Sequence, residues 1–213
     1  MEILRRGKDI IMNPIIHKRT LVWLHGLGDS AQGFLPIFKE HKIFEHCKIV
    51  LLTASSRPIS LYKGAEMNAW YNFSSIENLE ITEEIQTGAE KLAAEVSEQQ
   101  KYSKEVYLGG VYLGAALSLY TGLSILNSPV RGIIGVSCYA LNFNIKDSLK
   151  ETPVYLYHGT ADRMIPLKSA KQSFEKTLVG IPYNFTVEKD LDHGISMKTL
   201  NGISDWGKKY YID

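Results

Sequence analysis

The stretch YLGGVYLGAALSLY, Tyr107 to Tyr120, passes from a β-type run into a helical one across Gly110, Val111, Tyr112, Leu113 and Gly114. Small residues two before and two after the central position are what a sharp strand-to-helix elbow requires, because a larger side chain at either place collides across the turn. The frame is G-x-S-x-G with tyrosine in the place of serine. A glycine-rich turn with no chemical task has the same frame, so the flanking sequence has to decide between the two.

Short β-rich runs alternate with helical patterns on either side of this elbow. Strands are predicted at Thr20 to Leu24, Cys47 to Leu52, Glu105 to Leu108, Val130 to Ser137, Pro153 to Tyr157 and Tyr183 to Glu188. Several are apolar along nearly their whole length, as strands covered on both faces are. Helices are predicted at Ser30 to Glu40, Ile81 to Tyr102, Gly114 to Leu126, Lys168 to Leu178 and Ser196 to Tyr210. In the second of these, Ile81, Ile85, Leu92 and Val96 recur at helical spacing. Strand and helix in alternation imply a doubly wound, mostly parallel sheet with helices on both faces. Such sheets carry their ligand sites beyond the carboxyl ends of the strands.

Two further strand ends hold unusual residues. In LVWLHGLGDSAQGF, Leu21 to Phe34, a strand runs into His25, Gly26, Leu27 and Gly28, a turn able to aim backbone N–H groups into a cleft as an oxyanion hole does. The alternative there is a glycine turn opening a helix capped by Asp29 or Ser30. In VYLYHGTADRMIP and DLDHGIS, Asp162 lies just past one strand and His193 follows the next. With Tyr112 they give the order of a nucleophile, acid and histidine in a hydrolase of this architecture. Either could be structural by itself, Asp162 as a helix cap and His193 as an ordinary buried histidine.

Composition narrows the field. The chain has 213 residues, 45% of them hydrophobic and 22% charged, so it can build one sizeable core, and residues 1–213 are read as one domain. A formal charge of +1 with no basic stripe gives no reason to expect nucleic acid. Cys47 and Cys138 have no CxxC spacing, so neither a disulfide framework nor a metal site is expected, and a reducing, cytoplasmic setting is. No apolar run reaches the ~20 residues of a membrane-spanning helix. Glu2 and Asp9 count against reading the first residues as a mitochondrial presequence, though a mitochondrial location with a presequence already removed stays open.

Together LHGLGDS, SSRPIS, NAWYN, GGVYLGAALSL, HGTADRMIP and DHGIS resemble, in order and over nearly the whole chain, the acyl-protein thioesterase and phospholipase/carboxylesterase family. The resemblance implies an α/β-hydrolase fold and no cofactor. It makes Asp162 and His193 the acid and histidine of the family's triad and gives Tyr112 the nucleophile's position. It places oxyanion donors at the N–H groups of Leu27 and Leu113, and an acyl-groove wall at Leu61, Met67 and Trp70. Tyr112 for serine, Leu113 for glutamine and Asn72 for aspartate depart from the family pattern.

Tyrosine is a poor substitute for serine here, since its oxygen lies several bonds farther from the backbone and overshoots the histidine. The ring is expected to plug part of the cleft, with the hydroxyl available to bond His193. Ser118 should point away from the cleft, and Cys138, better placed, has no matched base. Three functions follow: a catalytically inactive family member acting as a structural or interaction subunit beside protein partners; a module that holds a lipid or acyl group without cleaving it; or an ester or thioester hydrolase with another nucleophile.

Overall fold

The computed structural model describes residues 1–40 and 46–210. Among the described residues, ten strands and five α-helices follow one another as β1 (Glu2–Arg6), β2 (Asp9–Asn13), β3 (Arg19–Leu24), α1 (Ala31–Glu40), β4 (Cys47–Leu52), β5 (Ser56–Ile59), β6 (Ala65–Asn68), α2 (Glu83–Gln100), β7 (Val106–Val111), α3 (Leu113–Tyr120), β8 (Gly132–Val136), β9 (Val154–Gly159), α4 (Leu167–Thr177), β10 (Tyr183–Glu188) and α5 (Met197–Tyr210). Eight strands form one sheet in the order β1-β2-β4-β3-β7-β8-β9-β10, while β5 and β6 make a separate two-stranded hairpin. From β4 to β10 the pairing is parallel; β2 runs antiparallel to both of its neighbours.

The continuous apolar runs are the central strands. Every residue of β3, β7, β8 and β9 is buried, which requires cover on both faces of the sheet. Two arginines show where that cover lies. Arg5 and Arg6 are neighbours on β1 and so point to opposite faces. Arg5 donates to Gln32 of α1 at 2.7 Å, and Arg6 to Glu95 of α2 at 2.8 Å. The two helices therefore flank the sheet from opposite sides, and α2 packs against α3 on its own side.

Helix ends follow local chemistry. Thr82 caps α2 by accepting from the N–H of Ile85 at 3.2 Å, and Ile85, Ala89, Leu92 and Val96 form its buried stripe. The apolar α3 is buried along its whole length and ends at Tyr120, after which Thr121–Ile125 form a wider π turn. This corrects the single helix predicted over Gly114 to Leu126. The hairpin of β1 and β2 is not among the predicted strands. Its first strand is exposed throughout, so no half-buried alternation marks it.

The strand order reverses between β3 and β7, since the chain runs from β3 outward to β4 and then crosses back to β7. A crevice at such a reversal, beyond the carboxyl ends of the strands, is where this architecture places ligands. His25 follows β3 and Tyr112 follows β7.

Candidate active site

The turn after β3 is held from three directions. His25 is buried, its Nδ1–H donates to the Gly26 carbonyl at 2.5 Å, and its Nε2 accepts from the N–H of Ala54 at 3.0 Å. One nitrogen donates and the other accepts, which defines a neutral ring. Burial holds its pKa below the ordinary histidine value. The Trp70 indole lies 5.1 Å from the imidazole and donates to the His25 carbonyl at 2.8 Å. Gly28, at φ +77°, donates to the Asn68 carbonyl at 2.9 Å, tying the turn to β6. Leu27, between them, is half-buried.

Tyr112 is the residue between β7 and α3, with φ +52° and ψ −117°. A bulky L-residue there carries strain of about 1–3 kcal/mol, which surrounding structure must hold in place. Two glycines make the turn fit: a Cβ at Gly110 would lie 2.5 Å from the Leu24 carbonyl oxygen, and one at Gly114 2.5 Å from that of His25. The backbone is anchored too, with the Tyr112 N–H donating to Val136 and its carbonyl accepting from Ala116. Leu113 opens α3, so its N–H is one of the first-turn donors without a partner in the helix.

The Tyr112 ring is 1% exposed and meets Phe73, Tyr139 and His193 edge to face, with centroids 6.1, 6.1 and 5.0 Å away. Among the described residues its buried hydroxyl has no hydrogen-bond partner. The expected bond to His193 is therefore not made; the two rings touch edge to face and the hydroxyl lies elsewhere. Burial, with smaller contributions from Tyr139, Tyr62 and Asp162, pushes the phenol pKa far above its ordinary value.

Past β9, Asp162 is gripped by its own loop. Its Oδ1 accepts from the N–H groups of Met164 and Ile165 at 2.9 and 2.8 Å. Its Oδ2 accepts from His193 Nδ1–H at 2.9 Å and lies 3.3 Å from Nε2 of the buried His158. Burial is the largest influence on this carboxyl and opposes ionisation. The bonds from His193 and Ile165 and the nearby histidines together outweigh it and hold the pKa below the usual carboxylate value. Asp192 joins the two loops, accepting from the N–H of both Arg163 and His193. Ser137, at the end of β8, exchanges hydrogen bonds with Gly194 at 3.1 and 3.3 Å. A histidine whose Nδ1–H is spent on a buried carboxylate has Nε2 left to accept a proton, which is the arrangement of a general base.

Tyr112 and His193 border a cavity of about 530 Å³, lined further by Leu27, Phe34, Met67 and Met164. Of the three groove residues expected, Met67 lines it. Leu61 and Trp70 do not: Leu61 is exposed, and Trp70 lines a second cavity of about 640 Å³ among charged residues that include Arg6, Glu84 and Lys91. Phe34 and Met164 are wall residues that sequence reasoning did not assign, although each lies close in sequence to a motif. Ser118 is buried and donates to the Gly114 carbonyl at 2.8 Å, within its own helix. The Cys138 thiol is buried, and burial pushes its pKa far up. Asn72 accepts from the N–H of Ser60 and donates to its hydroxyl, bracing the turn at Ser60–Tyr62. Among the described residues no group of three or more side chains is suited to hold a metal ion, and no helix is long and apolar enough to cross a membrane.

A mostly parallel sheet with one reversed strand, flanked by helices and carrying an Asp–His pair beyond its strand ends, is an α/β-hydrolase fold. Residues 7–210 match the phospholipase/carboxylesterase family, and the chain belongs to it. It is similar to acyl-protein thioesterase 1 of Schizosaccharomyces pombe, 31% identical over 179 residues that cover 78% of this chain and 80% of that protein. Acyl-protein thioesterase 1 homolog 2 of Dictyostelium discoideum is 30% identical over 215 residues, 94% of this chain and 96% of that one. Crystal structures of other proteins share the fold. Arabidopsis thaliana SOBER1 superposes with a TM-score of 0.83 at 22% identity over 91% of this chain and 99% of its own. Zea mays acyl-protein thioesterase 2 gives 0.79 at 21% identity over 96% and 99%.

Proposed function

We propose that this chain is a family member that binds an acyl group or a lipid in its cavity and does not hydrolyse it. The observation that carries this reading is Tyr112: at the turn where the family's serine would stand, a buried phenol has its pKa pushed up and makes no hydrogen bond among the described residues. Asp162 and His193 are then the remaining acid and histidine of a triad without its nucleophile. The N–H groups of Leu27 and Leu113 are the remaining oxyanion donors, and Met67 is one wall of the acyl cavity. Removal of the nucleophile from such a site typically lowers turnover about a millionfold. Neither Ser118, bonded within its helix, nor Cys138, buried with its thiol protonated, replaces it. The whole of residues 1–213 serves as one domain in this reading.

The cavity favours binding over mere scaffolding, since it is apolar along Leu27, Phe34 and Met67 and large enough for a chain of carbons. A second reading, a subunit kept for its folded surface, is favoured by the exposed edge of β1. The two share the absence of turnover. An acyl thioester assay and a fluorophosphonate probe test that shared point, with neither hydrolysis nor labelling expected of the natural protein. Turnover abolished by His193→Ala would overturn it. Native mass spectrometry with a long-chain acyl ligand tests the binding half, and no retained ligand would leave only the subunit reading.

A further inference from the structure

Strand β1 ends one side of the eight-stranded sheet; all five of its residues are exposed, and no strand pairs beyond it among the described residues. The hairpin geometry determines which of its main-chain groups face outward. Gly7, at φ +62°, and Lys8 form a two-residue turn closed by Arg6 opposite Asp9. A turn of this length closes on a hydrogen-bonded pair. Alternation along the ladder then aims the N–H and C=O of Arg6, Leu4 and Glu2 at β2, and those of Ile3 and Arg5 away from the molecule. Glu2, Leu4 and Arg6 share the face of α2, where Arg6 meets Glu95. Ile3 and Arg5 share the face of α1, where Arg5 meets Gln32.

We propose that the β1 edge docks a second copy of this chain, antiparallel, about a two-fold axis through Leu4. In that register Ile3 lies opposite Arg5 of the second copy and Arg5 opposite its Ile3. The outward main-chain groups therefore exchange hydrogen bonds on both sides of the axis. Leu4 meets Leu4 of the second copy in a non-hydrogen-bonded pair, where Cα atoms approach to about 4.5 Å. Glu2 lies opposite Arg6 of the second copy, and Arg6 opposite its Glu2, so opposite charges share one side of the sheet, with Glu2 joining the Asp9 and Glu95 already paired to that guanidinium. On the other side the Arg5 stem lies over Ile3 of the second copy.

The neighbouring symmetric registers lose this match. Centred on Ile3, Glu2 faces Leu4 and Arg5 runs out to Met1; centred on Arg5, two arginines oppose each other and Arg6 faces Leu4. The exposed apolar side chains of Ile3 and Leu4, 39% and 43% exposed, are covered only in the Leu4-centred arrangement together with its charges. An open strand edge of this kind is a template for pairing. The proposal stands apart from the cavity and holds whether or not the chain hydrolyses anything.

Sedimentation of the natural protein tests it, with a dilution-dependent mass of twice the 24.0 kDa chain expected. Ile3→Pro removes one outward N–H and spares the hairpin's inward bonds, so the mass should halve while the circular dichroism spectrum is unchanged. Leu4→Cys tests the register separately. At the axis its two thiols fall within disulfide reach, and mild oxidation should give a reducible dimer where Ile3→Cys gives none. The native Cys47 and Cys138 are buried and do not compete. A monomer at every concentration, a dimer untouched by Ile3→Pro, or equal cross-linking through Ile3→Cys would overturn the proposal.

Discussion

Tyr112 holds a phenol whose pKa burial pushes up and whose hydroxyl meets no hydrogen-bond acceptor among the described residues. An unpaired buried hydroxyl costs about 1–3 kcal/mol, so Tyr112→Phe should stabilise the protein by a part of that amount in urea denaturation. A loss of stability would show that the hydroxyl is bonded in solution. Tyr112→Ser asks the complementary question. It shortens the side chain to the length that the Asp162–His193 pair can serve, and a small p-nitrophenyl esterase activity should appear that His193→Ala removes. At this scale the sequence was legible where residues end strands. Asp162 and His193 were readable because motif order and strand ends coincide, and they meet at 2.9 Å. Leu61 and Trp70 fall outside the lining of the cavity beside Tyr112, because the β5–β6 hairpin decides which way the residues in and after it face, and hairpin orientation leaves no periodic trace. The edge-to-face packing of Tyr112 on His193 was equally hidden, since it depends on a space opened by Phe73 and Tyr139.

Elements meet at this site backbone to backbone, which gives its glycines unequal tasks. Gly114→Ala would press a methyl group against the carbonyls of His25 and Leu24, at 2.5 and 2.6 Å, where the end of β3 is held in the sheet and cannot give way. A cost of about 3 kcal/mol is expected. Gly88→Ala, inside α2 with its nearest neighbour at 3.5 Å, should instead stabilise by about 0.5–1 kcal/mol. Denaturant midpoints of the two variants should therefore move in opposite directions. Strand ends are also joined by neutral histidines. Burial holds His25 and His158 below the ordinary histidine pKa, so the unfolded chain, titrating near about 6.5, binds protons that the folded one refuses. Their contribution is complete above that value and declines as pH falls through it. Asp162, held low, adds a further loss only below the ordinary carboxylate range, as pH falls through its folded pKa. Thermal melting between about pH 8 and pH 5 should show the first decline, and His158→Gln should flatten part of it. Continuous apolar runs made β3, β4, β8 and β9 readable in advance. The β1–β2 hairpin lacked that signal because its outer strand buries nothing.

On the proposed reading the molecule as a whole holds an acyl group or a lipid in its cavity, and the physical consequence is a ligand-linked stability. A ligand that binds only the folded chain raises its stability with concentration, by about 2.7 kcal/mol at a hundred times its Kd. A fatty acid or an uncleavable acyl-thioether analogue should therefore raise the melting temperature, and the rise should grow with chain length as more methylenes leave water. Met67 offers the specific control. It lines the cavity and is only half-buried, so Met67→Glu should leave the unliganded protein close to its natural stability while placing a charge against the bound chain. The rise in melting temperature should then disappear. If it persists, the ligand sits elsewhere, and the cavity of about 640 Å³ beside Trp70, with Lys91 on its wall to meet a carboxylate, is the place to look. This scale was the least legible from sequence, because a cavity belongs to no single motif: Leu27 follows β3, Met67 lies on β6 and Met164 follows β9, and only the folded sheet with its hairpin brings them to one mouth.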